Sequence, residues 1–70
     1  MVEVFKTSIQ RIYQAEEIIA QLNMHFPDYE INIDLEDCDN ILRVKAANIK
    51  NEQIMSLLHL HGVECEVLPG

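Results

Sequence analysis

The sequence is poor in residues that break or staple a fold: two glycines, two prolines and two cysteines in 70 residues. So few Gly and Pro, beside 49% hydrophobic residues, exclude a disordered chain and leave a packed domain. No apolar run approaches the roughly 20 residues that span a bilayer. The opening residues, MVEVFKTS, carry no basic region followed by an apolar stretch, so no signal peptide is expected. Cys38 and Cys65 do not form a CxxC, and without a secretion signal they read as free thiols in a reducing, cytoplasmic setting. No linker, repeat, phosphate loop, nucleophile motif or cofactor fingerprint occurs, so neither enzymatic activity nor a cofactor is expected.

Positive charge is also scarce. Five Lys and Arg stand against 12 Asp and Glu, a net charge of −7. Such a surface repels phosphate backbones and anionic headgroups, so nucleic acid and membranes are not expected partners. It keeps the chain soluble and permits a basic protein partner or a cation; another protein, or a second copy, is the expected partner.

A chain this short buries about 60% of its unfolded surface, enough for one modest core and one domain over residues 1–70. Residues 2–8 read as a strand with Val2 and Val4 on one face, Glu3 and Phe5 on the other. Residues 11–26 read as a helix with Ala15, Ile18, Ile19, Leu22 and Phe26 in one stripe and Ile12 at its edge. Pro27 ends it. YEINIDLE alternates, with Tyr29, Ile31, Ile33 and Leu35 on one face. DCDN is a polar turn, and ILRVKA returns with Leu42, Val44 and Ala46 inward. Pairing Leu35 with Leu42 keeps the apolar faces together and sets Asp34 opposite Arg43.

Asn48 or Asn51 is placed to cap a second helix reaching about His61, with Ile54, Leu57, Leu58 and His61 on one side. Gly62 stops it. A last strand turns Val63, Cys65 and Val67 inward. The order β-α-β-β-α-β predicts the ferredoxin-like α+β sandwich, a four-stranded antiparallel sheet with both helices on one face. Right-handed crossovers give strand order 4-1-3-2.

That layout, with the strings INIDLEDCDNILRV and NEQIMSLLHLHGVECEVL, resembles the heavy-metal-associated domain of copper chaperones and metal-transporting ATPases. The resemblance covers nearly the whole chain and implies the same fold. In that family two cysteines, CxxC, sit between the first strand and first helix and clamp a soft ion. Here the turn reads KTSIQR, with Ser8 and Arg11 at the two cysteine positions. A hydroxyl is a poor soft-metal ligand, and a guanidinium opposes a cation. The fold is therefore expected without the family's metal site. A hydroxyl of Ser8 or Thr7 is expected to cap the helix rather than help bind an anion.

The predicted topology gathers this turn, the EDCDN hairpin and the HLHGV turn at one end of the sheet. Replacement metal ligands would be Cys38 and His61, although strand order sets them on opposite sides of the first strand. His59 and His61 point about 160° apart on a helix and cannot share an ion. DLEDCDN has the acids of a calcium loop but lacks its glycine and final glutamate. Cys65 reads as a small buried hydrophobe. The helix-free sheet face is the expected interaction surface, marked by Phe5, Ile41, Arg43 and Lys45. The function predicted is a small non-enzymatic interaction or adaptor module. Metal binding through Cys38 and His61, or small-ligand regulation, are the alternatives.

Overall fold

In the structure, a computed structural model describing residues 1–36 and 38–69, the first strand settles which face becomes the core. Strand β1 (Val2–Thr7) carries apolar residues on both faces. Phe5 and Thr7 point inward, and Phe5 is completely buried. Val2 and Val4 take the helix-free face, and Val2 remains exposed. This reverses the expected phase. The cause is the pairing: Phe5 stands between Leu42 and Val67 on the neighbouring strands, both of which pack in the core layer. Burying a phenylalanine there contributes about 1.5–3 kcal/mol, more than the smaller valines would gain in its place.

Helix α1 (Ile12–His25) buries Ala15, Ile18 and Leu22, the centre of the predicted stripe. Ile12, at the stripe's edge, is exposed. Phe26 caps the helix, its N–H donating to the Leu22 carbonyl at 2.7 Å, and Pro27 ends it. The Phe26 ring stacks on Tyr29 with centroids 4.6 Å apart. The Tyr29 hydroxyl in turn accepts the Lys50 N–H at 3.0 Å.

Strands β2 (Glu30–Asp34) and β3 (Ile41–Lys45) form the hairpin. Their register differs from expectation by two residues: Ile33, not Leu35, stands opposite Leu42, and Asp34 faces Ile41. The Asp34 carboxylate accepts the Glu36 N–H at 3.0 Å. That Asx turn ends the strand before Leu35 can pair. Leu35 still packs against the core. Arg43 still reaches Asp34, diagonally, at 4.0 Å. Both side chains are well solvated, so the contact contributes little.

Helix α2 (Asn51–Leu60) has Lys50 as its N-cap, with no side-chain cap from Asn48 or Asn51. Ile54 and Leu58 are fully buried. Its end is the glycine stop read from sequence. Gly62 adopts φ +77°, its N–H bonds the His59 carbonyl, and the Val63 N–H bonds that of Leu58 at 2.8 Å. This is a Schellman motif, sealed by Val63 and Leu58 in one core. A methyl at position 62 would meet no neighbour, so Gly62→Ala should cost only the backbone penalty, about 1 kcal/mol. Urea denaturation should show the lowered midpoint; an unchanged midpoint would mean α2 needs no left-handed residue.

Strand β4 (Cys65–Leu68) completes a four-stranded sheet in the order β2-β3-β1-β4, as expected, with every pairing antiparallel. Helix α1 packs over β2 and α2 over β4. The core lies between helices and sheet and includes Ile9, a turn residue that periodicity did not mark.

Candidate functional site

The three connections do meet at one end of the sheet, and Thr7 and Ser8 join them. Thr7 is buried. Its hydroxyl donates to the Asn40 carbonyl at 2.6 Å, and its backbone N–H donates to that of Asp39 at 3.2 Å. Ser8 grips the opposite side. Its N–H donates to the Glu64 carbonyl, and its hydroxyl accepts the Glu64 N–H, both at 2.9 Å. Neither residue caps α1, contrary to expectation. Both are spent tying β1 to its neighbours, and Arg11 is the N-cap.

The turn's four consecutive backbone donors are all engaged within the protein. The Ser8 N–H goes to Glu64 and the Ile9 N–H to the Thr7 hydroxyl at 3.2 Å. The N–H groups of Gln10 and Arg11 both go to the Gln14 side-chain oxygen, at 3.2 and 3.3 Å. Ile9, fully buried between them, plugs the turn into the core. An anion cradle needs free N–H groups, and residues 8–11 offer none. A soft cation needs thiolates or neutral imidazoles. The side chains here are Ser8, Gln10 and exposed Arg11, with Lys6 next to them, 3.8 Å from Asp39.

Cys38 is exposed in the β2–β3 connection. His61 ends α2 on the other side of β1 and turns toward α1, its Nδ1 3.7 Å from Glu17 Oε1. His59 is exposed. Among the described residues, no three His, Cys, Asp or Glu side chains gather to hold an ion. Asp37, part of the predicted acidic loop, lies outside the described residues.

The predicted interaction surface needs correction at two of its four residues. Phe5 is core. Ile41 lies on the helix-free face, where it is only 5% exposed. Arg43 and Lys45 are exposed there as predicted. The apolar members that sequence reading missed are Val2 and Val4; Val4 stands between Arg43 and Leu68.

Cys65 faces the core layer, as expected. Burial pushes its thiol up from the usual range, because the apolar surroundings disfavour the thiolate. The folded state thus holds this proton where the unfolded chain loses it, so Cys65 lowers stability as pH rises past its unfolded value. At pH 8, iodoacetamide should label exposed Cys38 about tenfold faster than Cys65. Equal rates, read by mass spectrometry, would contradict the inward placement. Beside Cys65 an open groove of about 690 Å³ follows the start of β4, walled by Met55, Ser56 and His59 of α2.

No family model matches the chain, and no curated protein resembles it closely in sequence. Solved structures do resemble it. The yeast copper transporter domain Ccc2a, determined in apo and Cu(I)-loaded states, matches with a TM-score of 0.82 at 18% identity, covering 97% of this chain and 94% of that one. The copper chaperone Atx1 from Synechocystis matches with a TM-score of 0.70 at 17% identity, covering 94% of this chain and 98% of that one. The N-terminal domain of PacS, also from Synechocystis, matches with a TM-score of 0.72 at 10% identity, covering 99% and 98%. Identities this low establish the fold and nothing further. The chain thus shares the fold of these three domains, the fold expected from its sequence, and its turn after β1 holds Ser8 and Arg11 and no cysteine.

Proposed function

We propose that the chain is a non-enzymatic module that kept this fold and gave up the metal site, and that it acts by binding another protein. The observation that carries this reading is the self-satisfied turn. Every N–H from Ser8 to Arg11 is bonded internally, and no thiol is present there. The neighbouring domains belong to a copper chaperone and a copper transporter, which supports a non-enzymatic role. Two free thiols suit a reducing, cytoplasmic setting, and no described helix is long and apolar enough to cross a membrane. A ligand that binds only the folded state raises Tm by mass action. The Tm of reduced protein should therefore be unchanged by chelators, Zn(II) or Cu(I).

The Cu(I)-loaded state of the yeast neighbour favours a second reading, metal binding through the replacement ligands Cys38 and His61. A Tm rise at one equivalent of metal that is lost in Cys38→Ser would establish it in place of the first.

A further inference from the structure

Backbone bonding fixes which groups β4 offers to the outside. In an antiparallel pair, bonded and non-bonded residue pairs alternate. The Ser8 N–H donates to the carbonyl of Glu64, the residue opposite it when the β1–β4 register is continued, which marks this as a bonded position; the Glu64 N–H goes to the Ser8 hydroxyl. Lys6–Glu66 and Val4–Leu68 are then bonded pairs as well. An independent observation agrees. Met1 and Ala46 exchange two hydrogen bonds on the opposite flank of β1, which directs the odd-numbered backbone groups of β1 to β3 and leaves the even-numbered ones for β4. The N–H and C=O groups of Cys65 and Val67 therefore point away from β1, along the sheet edge.

That edge has a wall and a charge. Helix α2 packs over β4, and Met55, Ser56 and His59 flank the groove beside it. On the helix-free face the strand shows the exposed carboxylates of Glu64 and Glu66. Of the lining cations, Lys6 is already beside Asp39. A strand added here would bond Cys65 and Val67, turn alternate side chains toward Met55, and turn the others toward Glu64 and Glu66. A second copy of β4 fits poorly, because its own Glu64 and Glu66 would face these two.

We propose that β4 is a docking edge for an extended segment of a partner protein, one alternating apolar and basic residues, which joins the sheet as a fifth strand. The proposal rests on the protein-binding reading above and names its surface and its partner chemistry.

The test uses the full reduced chain and a short blocked peptide alternating valine and arginine. The control peptide has the same sequence but is N-methylated at alternate residues, so it keeps the charge and cannot pair. Amide shifts should saturate along Cys65–Leu68 and at Met55 and His59. Exchange of the Cys65 and Val67 amides should slow about tenfold. The N-methylated peptide should not bind, and Glu64→Lys with Glu66→Lys should weaken binding about tenfold. Three results would overturn the proposal: equal binding by the N-methylated peptide, protection at Ile31 and Ile33 on the β2 edge instead, or concentration-dependent protection of Cys65 and Val67 without peptide. None of them touches the metal measurements, so failure of this edge is distinguishable from failure of the metal-free reading.

Discussion

Replacing Phe5 with alanine is expected to destabilise the domain by about 3–5 kcal/mol. The side chain is completely buried between Leu42 and Val67, so truncation leaves a cavity at the centre of the four-stranded sheet. Small domains have roughly 5–15 kcal/mol in total, and each kcal/mol shifts their Tm by about 4–8 °C. The loss is therefore on the order of 20 °C, read by thermal melting in far-UV circular dichroism. Arg43→Ala, on the exposed face, should stay within about 0.5 kcal/mol of the parent. If Phe5→Ala melted near the parent temperature, the inward phase of β1 would be wrong and Phe5 would return to the surface.

The second large effect is a gain. The double variant Ser8→Cys with Arg11→Cys places two thiols at CxxC spacing on the turn after β1. It should take up a single equivalent of Cu(I), where the metal-free reading expects no saturable uptake by the parent, because the fold matches that of a domain determined in a Cu(I)-loaded state and thiolates suit this ion. The substitution removes the Ser8 hydroxyl from the Glu64 N–H, at a cost of about 1 kcal/mol. Metal at about 100 times its dissociation constant would return about 2.7 kcal/mol. The metal-free variant should thus melt a few degrees below the parent, and the loaded variant above it. A folded variant that still binds nothing would show that the backbone of the turn, and not only its side chains, has departed from a metal-binding form.

Much of this was legible from the residues. The element order, the strand order and the Gly62 stop follow from alternation, helical spacing and one glycine that can adopt positive φ. The phase of β1 was not legible, because VEVFKT has apolar residues on both faces and alternation alone permits either. A central strand is decided by its two neighbours, and only the pairing with Leu42 and Val67 selects Phe5. The hairpin register offered Leu42 either Leu35 or Ile33 as its partner, and the choice lay in the Asp34 side chain bonding Glu36, a local competition that the apolar pattern does not report. Ile9 sits in a turn without periodicity. The absence of a CxxC was plain in the sequence. What occupies the turn's own polar groups was hidden, since Thr7 and Ser8 are satisfied by Asn40 and Glu64, 33 and 56 residues away along the chain.

The most direct measurement is a titration of the reduced protein with Cu(I), and separately with Zn(II), followed by amide chemical shifts. A closed, self-bonded turn predicts no saturable shift at Thr7–Arg11, at Cys38 or at His61. Shifts confined to those residues and saturating at one equivalent would contradict it, and would mean that this domain still carries metal with new ligands.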